Sequence, residues 1–425
     1  MSDDDAKLNE KELTMRGCYG SHVTYEELIS FLNDSFALNA EAEAEGVERF
    51  ADCIWGHAGI GKTSIVKDFK NTPVTWNGKE YDGYFVSHVP IAQFEEMGDL
   101  HGVPMDCVAM QNKEGDVQWV PQKDQTIRAY RENGWEINTS VNPRTLMAAP
   151  DWVPQKPGPS ILLLDDWNRA SIRIIKGIMQ LLQDYGMVSW QCPPGCNIVL
   201  TGNPDEQDYL VTTLDNAILT RIRHVTLKHD ATEWAVWARS KNLDERLISY
   251  ILYKKEDMIG RERTNPRTLA QFARWLRGIK RIENEKKRVQ TYADALLDEE
   301  TVGSFMVFAT REMEMVLEPE DILEGKQHCM QHVIDLIEDR KQPRLDVVNV
   351  ICERLYAHMV QDDTDQTTKR VQNFLSFICH DKMPEDIRHG LCSRLARRAG
   401  KPQRWLVGKG KAAQMLREQI MSNLR

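Results

Sequence analysis

The stretch Gly56-His57-Ala58-Gly59-Ile60-Gly61-Lys62-Thr63 fits the pattern G-x-x-x-x-G-K-[ST] in full. Residues 49–55 before it read as a short strand and 64–70 after it as a helix, so the glycine-rich turn joins a strand to a helix N-terminus. Glycines let successive backbone N–H groups curl round a polyphosphate without Cβ clashes. The helix behind the turn adds the positive end of its dipole. Lys62 places a point charge on the β- and γ-phosphates, and the Thr63 hydroxyl serves as a Mg2+ ligand. The candidate phosphate-binding residues are Gly56, His57, Ala58, Gly59, Ile60, Gly61, Lys62, Thr63 and Ser64, with His57 read as one of the variable positions.

Outward from this turn the pattern alternates between strand and helix. Leu28, Ile29, Phe31, Leu32, Phe36 and Leu38 fall at helical spacing over 24–44, and Thr24 with Glu27 has the form of a capping box. Phe85, Val86, Val89 and Ile91 mark a second strand at 84–91. Residues 104–158 are rich in Pro, Asn, Gln and Trp with weak periodicity, and read as long loops with a short hairpin at 117–120. Ile161-Leu162-Leu163-Leu164 and Ile198-Val199-Leu200-Thr201 are short continuous apolar runs of the kind found in buried parallel strands, with a helix at about 171–185 between them. Together these indicate an α/β fold with a parallel sheet flanked by helices. Beyond 229 the strand signal fades, and helices are expected at 231–240, 243–254 and 266–285. The charged run 283–288 suits a linker or a solvated helix end, and 298–425 is helical again.

The third strand runs into Asp165-Asp166. Ligands in open α/β sheets gather beyond the carboxyl ends of the strands, and phosphoryl transfer needs one carboxylate for Mg2+ and another to position water. Asp165 is read as the metal carboxylate and Asp166 as the group that polarises the attacking water.

Asp165-Asp166-Trp167-Asn168-Arg169-Ala170 resembles the DE-x-NRA segment of MoxR-type AAA+ ATPases, in the dynein-related group. Four further segments match that family in order. Asp99-Leu100-His101-Gly102-Val103-Pro104 resembles its DL-x-G-x-P segment, and Thr201-Gly202-Asn203-Pro204 its sensor 1. The segment 214–221, ending in Arg221, resembles the one that carries the arginine finger, and Asn265-Pro266-Arg267-Thr268 resembles sensor 2. The resemblance covers about 20–285. It implies an AAA+ core with a helical lid, ATP and Mg2+ as cofactors, and a homo-oligomeric ring, a hexamer. It implies that Asn203 orients the lytic water or contacts the γ-phosphate, that Arg221 reaches a neighbouring subunit's nucleotide, and that Arg267 senses nucleotide from the lid. An Arg supplied in trans is worth ~10³–10⁵ in rate. The family usually has Glu where this chain has Asp166, one methylene shorter. Arg223 follows Arg221 by two residues and in a strand would point the same way, so either could be the finger. Arg169 is a second interface arginine or a plain salt-bridge partner. Residues 185–197 occupy the place of the family's pore-facing hairpin, and an ordinary loop is the alternative there.

The remaining features set limits. The chain has 425 residues with 41% hydrophobic and 28% charged, which excludes wholesale disorder, collagen and a small disulfide scaffold. No apolar run approaches the ~18 residues of a membrane span, and the acidic start shows no secretory h-region, so no membrane association and a cytoplasmic location are expected. Nine cysteines scattered along the chain suit reduced thiols, and Cys192 and Cys196 read as a turn with two free thiols rather than a zinc site. The net charge of −10 argues against generic nucleic-acid coating. It is uneven: residues 1–50 carry −8 and 385–425 carry +7, so a local basic patch or head-to-tail pairing of the two ends is open.

The expected organisation is a polar tail at 1–20, an αβα ATPase core at 21–228, a helical lid at 229–288 and a helical C-terminal domain at 289–425. The leading functional expectation is an ATP-hydrolysing ring that remodels a protein partner, in this family often one with a von Willebrand factor A domain. A nucleic-acid-associated ATPase and a weakly hydrolysing nucleotide switch are the alternatives.

Overall fold

The computed structural model describes residues 19–204, 216–254, 263–339, 343–361, 368–397 and 405–406. The chain separates into two compact units, Met1–Lys228 and His229–Arg425.

The first unit is built on six strands: β1 (Ser21–Val23), β2 (Ala51–Trp55), β3 (Phe85–Pro90), β4 (Ser160–Asp165), β5 (Cys196–Gly202) and β6 (Ile222–Leu227). They form one parallel sheet in the order β1-β6-β2-β5-β4-β3. The strand before the phosphate loop therefore lies inside the sheet, and the chain leaves it for the far edge, β3, before working back. That reversal opens a crevice at the carboxyl ends of β2, β4 and β5, where ligands bind in such sheets.

Period-two alternation sorts the strand side chains onto two faces. Ile54, Ile161, Leu163, Val199, Val225 and Leu227 pack against Leu28, Leu32 and Phe36 of α1 (Tyr25–Glu45) and Ile65 and Val66 of α2 (Lys62–Asp68). Cys53, Trp55, Leu162, Leu164, Ile198 and Leu200 pack against Ile174, Ile178, Leu181 and Leu182 of α3 (Ile172–Asp184). This is the α/β sheet flanked by helices expected from the alternation of apolar runs. Thr24 caps α1 in the expected capping box with Glu27, and Gly46 ends it in the left-handed region.

Between β3 and β4 the structure departs from the long loops expected at 104–158. Strand Val103–Gln111 pairs antiparallel with Val117–Pro121, Glu136–Ile137 and Arg144–Ala148, and a helix, Asp124–Glu132, lies in the same insert. Val108, Met110 and Val120 form its small core with Ile127, Tyr130, Trp135 and Ile137. Gly102 stands at its base at φ +87°, where a Cβ would lie 1.7 Å from the Ala148 carbonyl oxygen, so the glycine of the Asp99–Pro104 segment is sterically required.

Residues 185–197 do form a hairpin, with Gly186–Met187 paired to Trp190–Gln191. Met187 and Trp190 are buried, and the Trp190 indole donates to the His101 carbonyl, while Val188 and Ser189 at the tip are exposed. Cys192 and Cys196 are free, buried thiols in the turn that follows.

Among its described residues the second unit is helical. It includes α4 (Ala231–Ser240), α5 (Glu245–Lys254) and α6 (Pro266–Leu276). The last is shorter than the helix expected over 266–285: it stops at Leu276, and a further helix, Lys286–Leu296, starts where a linker or helix end was expected. Val289 and Ala293 of that helix belong to the same apolar cluster as Trp234 and Phe272, which runs on to Ala309, and a second cluster spans Val316 to Leu406. Among the described residues no helix is long and apolar enough to cross a membrane. Most of the basic run that begins at Arg394 and includes Lys401, Arg404, Lys409 and Lys411 lies outside the described residues.

Candidate active site

β2 ends at Trp55 and the chain turns at once through Gly56, Gly59 and Gly61, with φ of +151°, +78° and +111°, into α2. Three positive φ values within six residues are what lets the loop present its backbone rather than side chains. Lys62 opens α2 and is buried, 5% exposed. Its Nζ donates to the carbonyls of Gly56 at 2.6 Å and His57 at 3.0 Å, and to Oδ1 of Asn203 at 3.0 Å.

The next residue, Thr63, donates its hydroxyl to Oδ1 of Asp165 at 2.6 Å. Asp165 ends β4, one strand beyond β5, and two further groups hold it. Thr201 Oγ1 donates to the same Oδ1 at 2.5 Å, and His88 Nε2 lies 2.9 Å from Oδ2. Burial alone would raise the Asp165 pKa, but the hydrogen bonds from Thr201, Thr63 and His88 outweigh it and hold the carboxyl below its ordinary value.

Asp166 turns out of the strand with φ +52°, a left-handed conformation uncommon for a residue other than Gly. Its N–H donates to Thr201 Oγ1 at 3.1 Å and its Oδ1 accepts from Asn203 Nδ2 at 2.7 Å. Asn203 thus offers its amide N–H to a carboxylate and its amide oxygen to an ammonium, and the two partners settle its orientation. Asn168 clamps it further: Asn168 Nδ2 donates to the Asn203 carbonyl at 2.8 Å, and Asn203 N donates to Asn168 Oδ1 at 3.2 Å.

The structure therefore brings Lys62, Thr63, Asp165, Asp166 and Asn203 into one hydrogen-bonded network. Sequence reading missed Thr201, Asn168 and His88. The first two carried a signal: Thr201 shares strand parity with Val199 on the α2 face, and Asn168 belongs to the Asp-Asp-Trp-Asn segment itself. His88 carried none, because only the β3–β4 register brings it to Asp165.

The two arginines differ in their surroundings. β6 begins at Ile222, so Arg221 precedes the strand and the parity argument does not apply to it. Arg223 is inside the strand and committed: Nε donates to Asp52 Oδ1 at 2.8 Å, and Nη2 to Asp52 Oδ2 at 3.1 Å, the Phe50 carbonyl and Asn39 Oδ1. Asp52 is fully buried, and its burial pushes the carboxyl up to about 6 against the attraction of Arg223. The Arg221 side chain, half-buried, donates to Gln183 Oε1 at 3.2 Å and to the Ala217 carbonyl four residues earlier. The Arg223 guanidinium is thus engaged within its own chain.

Arg267 lies in the other unit, exposed in the first turn of α6, where Asn265 caps the helix and Pro266 occupies its first position.

The donor set fits a nucleotide with Mg2+. Thr63 and Asp165 are hard oxygen donors already in contact. Mg2+ is usually held by one or two carboxylates together with substrate phosphates and waters, so a single acid beside a hydroxyl suffices. Gly56 leaves room for little else: a Cβ there would lie 3.1 Å from the Leu227 carbonyl oxygen.

No protein-family model matches the chain. No curated protein matches it either. Among solved structures, the Thermotoga maritima RuvB Holliday junction branch migration motor aligns over 73% of this chain and 76% of its own, at 13% identity and TM-score 0.30. A proline-to-glycine mutant of the same protein aligns over 72% and 76%, also at 13% identity and TM-score 0.30. A likeness of that size carries no weight, and the fold rests on the strand order and the contacts around the phosphate loop.

Proposed function

We propose that this protein is a Mg2+-dependent ATPase of the AAA+ class that acts as a ring and remodels a protein partner. One observation supports the ATPase reading above all. Three separate segments, 56–63, 165–168 and 201–203, meet in an unbroken chain of hydrogen bonds from Lys62 through Asn203, Asp166 and Thr201 to Asp165 and Thr63. Lys62 and Asp166 are linked through Asn203, which stands between them.

In this reading the backbone N–H groups of the glycine loop cradle the phosphates and Lys62 leaves its loop carbonyls for phosphate oxygens. Mg2+, when bound, would supply charge neutralisation at the phosphates. Thr63 and Asp165 hold that ion. Asp166 accepts a hydrogen bond from the attacking water, and Asn203 positions both the water and Asp166. Arg221 serves a neighbouring copy's nucleotide, Arg267 reports nucleotide from a lid at 229–288, and the ring and its protein partner follow from the motif resemblance. Lys62→Ala abolishes binding of a fluorescent ATP analogue, whereas Asp166→Asn keeps binding and loses phosphate release. Binding unchanged in Lys62→Ala sinks the assignment.

A second reading, a slowly hydrolysing switch, is favoured by one contact. The short Asp166 side chain is already tied to Asn203 at 2.7 Å. Asp166→Glu raises turnover several-fold if the missing methylene is what limits hydrolysis, and leaves it unchanged or lowers it otherwise.

A further inference from the structure

We propose that His88 is a positioning residue for the Mg2+ carboxylate: it fixes the plane of Asp165. The inference rests on the ATPase reading above.

His88 lies on β3, the edge strand, which pairs with β4 so that His88 faces Leu163 and Pro90 faces Asp165. Period-two alternation puts Val86 and His88 on the α2 face, the face onto which Leu163 and Asp165 also project. The register therefore aims the imidazole at the end of β4, and Nε2 reaches Asp165 Oδ2 at 2.9 Å.

The distribution of donors gives this contact its meaning. Both hydroxyls, from Thr63 and Thr201, land on Oδ1. They anchor one oxygen and leave the carboxylate able to swing about its Cβ–Cγ bond, a broad torsion in Asp. Among the described residues His88 holds the second oxygen, and two anchored oxygens define a plane. A carboxylate held in one plane presents its remaining lone pair to the cation in one direction, as outer-shell partners do in metal sites. The neutral tautomer with a proton on Nε2 is sufficient, so no charge on the ring is required.

A purely structural role fits less well. The His88 side chain is 31% exposed on an edge strand, and the packing of that strand is carried by Val86 and Val89 on its two faces. Removal of the ring leaves these contacts in place.

The test is a Mg2+ titration of fluorescent ADP binding for wild type, His88→Ala, His88→Gln and Lys62→Ala, with a parallel measurement in EDTA. The expected result is that His88→Ala raises the Mg2+ concentration for half-maximal tight binding by about 10-fold or more, the usual scale for an outer-shell partner. Binding in EDTA stays as in wild type, and His88→Gln, which restores an N–H donor, recovers most of the Mg2+ response. The proposal is overturned if His88→Ala titrates like wild type, or if it loses binding equally with and without Mg2+. If wild type shows no Mg2+ response, or Lys62→Ala binds like wild type, the ATPase reading itself falls and this proposal with it.

Discussion

Arg221 and Arg223 stand two residues apart and do different work. Arg223 spends its guanidinium on Asp52, which is fully buried beneath the sheet, and on backbone and amide oxygens around it. Its removal leaves a buried carboxylate without its cation, a change that costs about 3–5 kcal/mol. The Arg221 side chain donates to Gln183 of α3 and to the nearby Ala217 carbonyl, and a substitution of that kind alters stability by roughly 0.5 kcal/mol or less. Urea unfolding of Arg223→Ala and Arg221→Ala therefore separates them: the first unfolds at markedly lower denaturant and the second with wild type. Equal unfolding midpoints contradict the structural role of Arg223.

At the scale of elements, β2 carries the consequence of burying Asp52 between α1 and the sheet. Its carboxyl is raised from 3.8 to about 6, chiefly by burial. The sign follows from linkage: between those values the folded chain holds a proton that the unfolded chain has released, so this group makes the fold less stable as pH rises from about 4 to 6. The stability of wild type relative to Asp52→Asn should fall over that window and level off above it, read by denaturant unfolding at each pH. A rise over the same window contradicts the assignment.

The elements that hold the site were legible because 161–164 and 198–201 are short, largely apolar runs of the kind buried parallel strands show, and 51–55 runs straight into the glycine-rich turn. The insert at 103–148 was not. Its longest strand contains Pro104 and Asp106, its buried core is three residues, and its helix buries none fully, so no window shows a clean period. His88 was illegible as a site residue for another reason, and the partners of Thr201 were hidden with it. Their roles depend on which strand lies beside which, and residues 88, 165 and 201 become neighbours only through the sheet order.

At the scale of the molecule, the first unit holds the hydrogen-bonded network of Lys62, Thr63, Asp165, Asp166 and Asn203, and the second carries an exposed Arg267 at the start of a capped helix. What each copy lacks, in the account proposed above, is the cation that completes hydrolysis, and that is Arg221 of a neighbour. A heterologous interface of this kind makes activity a property of the assembly rather than of the chain. The most direct measurement is phosphate release against protein concentration for wild type, Asp166→Ala, Arg221→Ala and an equimolar mixture of the two variants. The account predicts that wild-type specific activity rises with concentration and that neither variant is active alone. In the mixture one interface in four joins an intact acid to an intact finger, so activity returns to about a quarter of wild type. Specific activity independent of concentration, with Arg221→Ala as active as wild type, would contradict it.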